Sequence, residues 1–505
     1  MIRKSFVWGG LFLIFTFISA YVAALVERDF GQLEISTISF MTEEQQPMVA
    51  KLYRPQSATD KTPKPGLLAL HGYQSDKEAT NTFGALELAK RGFVVLAIDH
   101  FGHGYSTKLP ASNKNMSGAN NGYQYLKSLP FVDSRRLGIF GHSTGALNAI
   151  RVAQLNPDHK AINGQSSNGG DPGLHNYLLT QGLYEEIAGY REKSFPVKEL
   201  AKNTNRLKAF SLEKSGGLQW DHTYGNFTDG LPSGKWVHFA MCNIIATMIL
   251  YPLFTQWGGA NEPIASMISF MPLEMGNGIV LWLVVSAIVN YLLFFLWSHK
   301  KSISWQEFGI LAGKPNITTS QLIGLYLILA AILVSYLYGI AYVVHSYWQV
   351  ELRFLWPAFK PLTPERFALF PIYWLFILFF FYSFNGLVVT VQMRMKQAKN
   401  FTITLIGWTI KTSFFAVSGL VLLWLFHFIP DFMQLGPGFD LIGLPQFGGR
   451  WMMMLSVIIP QFIVLILISH WCYLKTGYVY LGVFLTSILM TWIIVGGQVI
   501  GRFLA

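Results

Sequence analysis

The chain has 505 residues, of which 52% are hydrophobic and only 13% are charged. Soluble globular proteins carry about 25% charged residues, so much of this chain is not expected to face water. The length exceeds what one hydrophobic core usually organises, which predicts two domains. The formal net charge is +11. However, lysines and arginines do not alternate with aromatic residues on a polar face, so we predict no nucleic-acid partner.

Cysteine and histidine residues are not arranged for metal binding. The two cysteines, Cys242 and Cys472, make no disulfide framework. The sequence has no Cys-x-x-Cys motif and no His/Cys cluster at zinc spacing. We therefore predict neither a metal site nor an organic cofactor.

An apolar stretch of ~20 residues opens the chain, behind the basic residues Arg3 and Lys4. This length is sufficient to cross a bilayer. We predict a transmembrane anchor over residues 1–28. A cleaved signal peptide is the alternative, because Ala20 and Ala23 offer small residues at a possible cleavage site.

Residues 29–275 have the composition of a water-facing domain. Charged residues, Asn, Gly and Pro return to ordinary density, and short apolar runs alternate with helical stretches. This alternation is typical of an α/β sheet. The predicted strands lie at 65–72, 93–99, 136–140, 161–166, 176–182 and 235–239, and the predicted helices at 82–91, 118–128 and from 146 onward.

The third predicted strand runs directly into Gly141-His142-Ser143-Thr144-Gly145. A Gly-x-Ser-x-Gly sequence between a strand and a helix is typical of a sharp turn that lifts the serine hydroxyl above the sheet. The helix that follows directs its N–H groups toward developing negative charge. We predict Ser143 as a catalytic nucleophile, and the alternative is a serine that only caps the helix.

These motifs, together with His71-Gly72-Tyr73 and the run from Asp99 to Gly104, resemble the α/β-hydrolase superfamily in its dienelactone-hydrolase-like and serine-aminopeptidase-like branches. The resemblance covers roughly the first half of the chain. It implies the α/β-hydrolase fold, a mostly parallel sheet with helices on both faces. It also implies an oxyanion hole made by the N–H groups of Tyr73 and Thr144. We predict that His71 braces this loop, and the alternative is a direct role in the chemistry.

The resemblance further implies an acid and a histidine in the chain order Ser…Asp/Glu…His. Glu185 occupies the acid position, with Glu186 and Asp171 as alternatives. No histidine directly follows the last predicted strand. We predict His222 as the base, His238 is the alternative base, and a third possibility is that the base is missing.

After residue 275 the apolar runs lengthen, which predicts a polytopic membrane domain of about six helices over residues 276–505. With the N-terminal anchor this makes seven spans. Residues 236–257 are apolar enough to be an eighth span, but we favour the last strand and a helix there. The predicted C-terminal spans lie at 278–297, 319–345, 368–391, 402–429, 452–473 and 477–500.

The basic residues of the short loops predict the orientation. With the N-terminus in the cytoplasm, the cytoplasmic side holds more of them than the opposite side, as the positive-inside rule requires. This places a multi-pass protein in the cell membrane with its water-facing domain outside the cytoplasm. The cytoplasmic set is Arg3, Lys4, Lys300, Lys301, Lys314, Arg394, Lys396, Lys399 and Lys475, against Arg353, Lys360, Arg366 and Arg450.

The sequence therefore predicts a membrane-anchored serine hydrolase that cleaves ester or amide bonds through an acyl-Ser143 intermediate. Its location next to a bilayer favours a small-molecule, lipid-like or peptide substrate. Two alternatives use the same sequence features. One is a membrane acyltransferase, and the other is a non-catalytic ligand-binding or sensor module on a membrane domain.

Overall fold

A computed structural model of the protein describes residues 2–42, 45–73, 75–106, 117–166, 173–182, 207–212, 237, 239–241, 243–245, 271–299, 305–306, 308–312, 318–350, 352–353, 358–393, 400–422, 425 and 448–497. Packing divides the chain into two compact units. The first contains residues 1–217, 340–354 and 497–505, and the second contains residues 218–339 and 355–496.

The first unit is built on an eight-stranded sheet. Its strands are β1 (Leu33–Met41), β2 (Pro47–Pro55), β3 (Lys64–Leu70), β4 (Val94–Ile98), β5 (Val132–His142), β6 (Ala161–Gln165), β7 (Tyr177–Gly182) and β8 (Leu207–Leu212). Their order in the sheet is β1-β2-β4-β3-β5-β6-β7-β8. Strand β2 is antiparallel to β1 and β4, and the other pairs are parallel.

Helices cover both faces of this sheet. Leu68 and Leu70 on β3 pack in one core with the helix residues Tyr123 and Ala149, whereas Ala69 packs in a second core on the opposite face. This alternation follows from the two-residue period of a strand. The helices of the unit are α1 (Ile2–Glu27), α2 (Ala85–Lys90), α3 (Ala119–Ser128) and α4 (Thr144–Leu155), with 3₁₀ helices at Asp29–Gly31 and Lys77–Phe83. The predicted mostly parallel sheet with helices on both faces is confirmed.

Five of the six predicted strands are present. The predictions at 65–72, 93–99, 136–140, 161–166 and 176–182 correspond to β3, β4, β5, β6 and β7. Strands β1, β2 and β8 were not predicted. The helix predicted at 82–91 is divided between the 3₁₀ helix that ends at Phe83 and α2.

The sixth prediction, a strand at 235–239, is wrong. Val237 and Phe239 are helical. The ring of Phe239 packs against Phe384 within the second unit, with 5.7 Å between centroids. Val237 and Met241 are both exposed, and their four-residue spacing is that of one helix face. The last strand of the described sheet is β8.

Long helices follow β8 in the chain. They are α5 (Glu274–Ser298), α6 (Thr319–Trp348), α7 (Pro364–Phe381), a π-helix (Tyr382–Gln392), α8 (Phe401–Ala416), α9 (Gly448–Thr476) and α10 (Tyr480–Gly497), with short strands β9 (Leu352–Arg353) and β10 (Ala358–Phe359). Residues 319–339 of α6 belong to the second unit and its C-terminal residues belong to the first.

Six helices in the described part of the chain are long and apolar enough to cross a membrane. They lie at Gly9–Glu27, Ile279–Leu296, Thr319–Trp348, Pro364–Gln392, Ile459–Thr476 and Tyr480–Gly497. The remaining predicted span, at 402–429, corresponds to α8, which ends at Ala416 with a break at Val417. The C-terminal half of the chain is therefore dominated by apolar helices, as its composition predicts.

Candidate active site

The turn at Ser143 has the predicted strand–turn–helix geometry. Strand β5 ends at His142 and α4 begins at Thr144. Ser143 has φ 54° and ψ −119°, a region that side-chain-bearing residues rarely adopt and that surrounding contacts must stabilise. The Ser143 N–H donates to the Gln165 carbonyl at 2.8 Å. The half-buried serine is thereby held at the C-terminal edge of the sheet.

The flanking glycines are required by close backbone contacts. A Cβ on Gly145 would lie 2.3 Å from the Leu70 carbonyl oxygen and 2.5 Å from that of His71. A Cβ on Gly141 would lie 2.3 Å from the carbonyl oxygen of Gly145. These are backbone atoms that cannot move aside, so the turn tolerates no side chain at either position.

The loop after β3 lies directly against the serine. A Cβ on Gly72 would be 3.4 Å from the Ser143 Cβ and 3.1 Å from the His142 Nδ1. Tyr73 follows Gly72, and Thr144 is the first residue of α4, where N–H groups have no partner inside the helix. The two residues predicted to form the oxyanion hole therefore belong to the two segments that meet at Ser143.

His71 links this loop to the loop after β4. Its Nε2 accepts from the His100 N–H at 3.0 Å, so its Nδ1 carries the proton and donates to the Gly72 carbonyl at 2.8 Å. In a trans peptide the N–H points away from the C=O. A fixed Gly72 carbonyl therefore fixes the direction of the Tyr73 N–H. His71 thus braces the loop through these two hydrogen bonds.

Burial keeps these histidines neutral. Desolvation, reinforced by the neighbouring rings of His100 and His103, holds the pKa of His71 well below 6.5. Desolvation lowers the pKa of His100 to about 4, and its Nε2 lies 3.1 Å from the His71 carbonyl oxygen. Protonation of His71 would remove the acceptor that binds the His100 N–H, so the loop depends on the neutral ring.

A buried ion pair next to this loop was not predicted from the sequence. The side chains of Lys77 and Asp99 have no solvent exposure, and the Lys77 Nζ lies 3.0 Å from Asp99 Oδ2. Asp99 also accepts from the Lys77 N–H at 2.7 Å and the Tyr105 N–H at 2.8 Å. The position of Asp99 at the end of a buried strand was the only signal in the sequence. Its partners come from two different loops.

The remaining predicted site residues are not in the described part of the chain. Glu185, His222 and the alternative base His238 lie outside it, as do Glu186 and Asp171. The strands that precede these residues in the chain are nevertheless described. Strand β7 ends at Gly182, three residues before Glu185, and β8 ends at Leu212, ten residues before His222.

Comparison with known proteins identifies relatives of this region. Residues 61–168 match the family described as serine aminopeptidase, S33. A curated relative, the esterase FrsA of Photorhabdus laumondii, is 29% identical over 138 residues. That match covers 26% of this chain and 32% of the relative, so the chain spans about a third of the esterase's length.

Solved structures of esterases are similar to part of the chain. Acetyl xylan esterase 1 from Thermoanaerobacterium sp. is 17% identical, with a TM-score of 0.28, over 36% of this chain and 76% of the esterase. An esterase of Pyrococcus furiosus is also 17% identical, with a TM-score of 0.28, over 36% of this chain and 82% of the esterase.

The contacts of Gly145 predict that Gly145→Ala destabilises the first unit. Overpacking against two carbonyl oxygens should lower the free energy of unfolding by about 3 kcal/mol or more. Thermal unfolding of the purified protein, followed by tryptophan fluorescence, measures the change. Gly339→Ala is the matched control, because a Cβ there meets nothing within 4 Å. Equal stability of Gly145→Ala and wild type would contradict the described turn.

The buried histidines predict a loss of stability in acid. Between pH 6.5 and 4 the unfolded chain binds a proton at His100 that the folded protein does not, so folding is progressively disfavoured as pH falls. With its pKa near 4, His100 alone contributes up to about 3 kcal/mol to this loss. His100→Gln retains a donor without a titratable ring, and its melting temperature should fall less between pH 7 and pH 5 than that of wild type. His299→Gln, at an exposed position, should behave as wild type.

Proposed function

We propose that this chain, which joins an α/β-hydrolase domain to a series of long apolar helices, is a membrane-anchored serine hydrolase that cleaves ester bonds through an acyl-Ser143 intermediate. The hydrolase class is supported by the serine aminopeptidase family match and the esterase relative. The assignment of the nucleophile depends on one observation. Ser143 stands in a strained turn between β5 and α4, with Gly72 packed against it.

In the proposed mechanism the Ser143 hydroxyl attacks the carbonyl carbon of the substrate while a base removes its proton. The negative charge that develops on the carbonyl oxygen is stabilised by the N–H groups of Tyr73 and Thr144. The alcohol leaves with a proton, and water then attacks the acyl-serine to release the acid.

The position of β8 favours His222 as this base. In α/β-hydrolases the histidine follows the last strand and the acid follows an earlier one. With β8 as the last strand of the described sheet, His222 is the first histidine after it in the chain, and Glu185 follows β7. His238, by contrast, lies between Val237 and Phe239, which are helical residues of the second unit. We therefore assign Glu185 as the acid and His222 as the base.

The relatives that are named esterases support an ester substrate. The apolar helices support a substrate that is present at a membrane, such as a lipid-like ester. An active site next to a bilayer meets amphipathic esters at a high local concentration. Amide and thioester bonds require the same acyl-serine chemistry and are tested as further substrates.

We expect a fluorophosphonate probe to label the wild-type protein in detergent or nanodiscs and Ser143→Ala to lose all labelling. His222→Ala should react about 10³-fold more slowly or worse, because the serine then lacks its base. Labelling rates from gel fluorescence over time provide the measurement. Ser128→Ala, at an exposed serine on α3, should label at the wild-type rate.

Two results would contradict this assignment. Folded wild-type protein that never labels would favour a domain that only binds a ligand. A His222→Ala variant that labels as fast as wild type, with a slow His238→Ala variant, would move the base to His238.

We further propose that the hydrolase domain lies outside the cytoplasm. The chain passes from α1 through the 3₁₀ helix Asp29–Gly31 into β1, and the ring of Phe17 on α1 lies 5.7 Å from that of Trp348 at the C-terminal end of α6. Both helices thus end in the first unit. Lys300 and Lys301 lie in the sequence between α5 and α6, and the positive-inside rule favours the cytoplasm for such a basic loop.

Cysteine accessibility in intact cells tests this orientation. In a background with Cys242→Ser and Cys472→Ser, a membrane-impermeant maleimide should modify Asp60→Cys, an exposed position of the hydrolase domain. It should not modify Lys301→Cys until the cells are lysed. The reverse pattern would place the hydrolase domain in the cytoplasm.

A further inference from the structure

The C-terminal end of α6 packs within the first unit, against the edge of the sheet. Lys51 on β2 donates from Nζ to the backbone carbonyl of Gln349 at 2.9 Å, and its Nζ lies 2.7 Å from Glu78 Oε2. The side chain of Lys51 is 1% exposed and that of Glu78 is 10% exposed. We call the three residues Lys51, Glu78 and Gln349 the α6 clamp.

The clamp satisfies a helix end. The last carbonyl groups of a helix lack intrahelical donors, and a cation near them interacts favourably with the helix dipole. Gln349 directly follows α6 and has φ 59°, a left-handed conformation that is uncommon for a residue with a side chain. Its side chain hydrogen-bonds Thr37 on β1, and Thr37 pairs with Lys51 across the two strands. Contacts from two strands therefore hold the end of α6 in one position.

The same contacts reach the oxyanion loop. Glu78 is in the 3₁₀ helix Lys77–Phe83, which begins four residues after Tyr73. The preceding residue of that helix, Lys77, is bound through both its N–H and its Nζ to Asp99. Displacement of Glu78 would therefore move the segment that connects directly to the Tyr73 N–H.

A second contact of α6 supports the loop after β4. The ring of Tyr105 lies 5.3 Å from that of His345, and the Lys77 Nζ lies 4.4 Å above the Tyr105 ring. His345 lies in the last turn of α6, so the loop after β4 contacts the helix end directly through Tyr105. The loop after β3 reaches the helix end through Lys51, which binds both Glu78 and Gln349.

A buried ion pair of this kind is not a general source of stability. Removing two charges from water costs several kcal/mol per ion. Replacing such a pair with apolar side chains of similar volume often leaves the stability of the fold unchanged or increases it. The Lys51–Glu78 pair instead fixes the relative position of β2, the 3₁₀ helix and the end of α6. Both charges and the Gln349 carbonyl have their hydrogen-bond partners in only one arrangement of these elements.

We propose that the C-terminal turn of α6 positions the oxyanion loop, with Lys51 and Glu78 as positioning residues that couple the helix end to the Tyr73 N–H. The inference rests on the proposed function, since it concerns the same loop. It adds a requirement that the hydrolase domain alone does not meet. The loop has its reactive geometry only when the end of α6 is bound to Lys51.

The test uses full-length protein in nanodiscs and a p-nitrophenyl butyrate assay. Lys51→Met should lower kcat about 10-fold or more while KM stays within about 2-fold, because the N–H group aimed at the transition state moves and substrate binding does not. Lys127→Met is the matched control. It breaks the Lys127–Asp158 ion pair, which lies at the surface, and both kinetic constants should stay at wild-type values.

Hydrogen exchange provides a readout that does not depend on activity. In Lys51→Met, amides of residues 71–78 should exchange about 10-fold faster or more than in wild type, whereas those of β5 and α4 should not change. This separates the two proposals. If wild type is inactive but Lys51→Met still shows the faster exchange at residues 71–78, only the hydrolase proposal is contradicted. An active, folded Lys51→Met with wild-type kcat and wild-type exchange would sink the positioning proposal alone.

A double variant covers the case in which Lys51→Met fails to fold because Glu78 is left as an unpaired buried charge. Lys51→Met with Glu78→Gln removes both charges, and we expect it to fold, to show the same slow kcat and to be no slower than the worse single variant. Wild-type kcat in the folded double variant would overturn the proposal. Failure of the double variant to fold would also overturn it, because the clamp would then serve folding and not positioning.

Discussion

A carboxylate without solvent exposure, that of Asp99, holds together the two loops beside the serine turn. Burying a charge is expensive unless cations and N–H groups surround it. Here Lys77 supplies the cation, and the Lys77 and Tyr105 N–H groups supply the donors. The fit is close, since a Cβ on Gly104 would stand 2.2 Å from the carboxylate. Because both loops must take the shape that satisfies Asp99, the location of Gly72 against Ser143 depends on this one charge as well as on the sheet.

The sequence was sufficient for the parts of the site that depend on local pattern. Buried apolar runs located β3 to β7, and the spacing of Gly141, Ser143 and Gly145 located the turn, because glycine spacing directly reflects backbone contact. The apolar run at 235–239 was assigned wrongly, since a short apolar segment fits a strand and a buried helix equally well. The contacts of Lys51 and Asp99 could not be predicted. Each depends on partners from separate loops or from a helix far away in the chain.

In the apolar half of the chain, too, the helices could be predicted from the sequence and the contacts between them could not. Composition alone located most of the long helices, because a bilayer requires about 20 apolar residues per span. It did not locate their polar contacts. Asn385 donates to Ser469 at 2.8 Å, and His470 lies 3.0 Å from the Thr412 hydroxyl. Both pairs join separate helices, which is the usual role of such residues in membrane bundles.

The clamp at Lys51 has a consequence for how the enzyme is made in the cell. Lys51 and Gln349 are 298 residues apart in the chain, and a ribosome adds about 5–20 residues per second, so roughly 15–60 s separate their synthesis. During that interval the sheet can form, but the helix end that fixes its loop does not yet exist. The nascent domain therefore folds first with an unfinished site. On the positioning proposal, hydrolytic competence arrives only after the end of α6 has been synthesised and bound to Lys51.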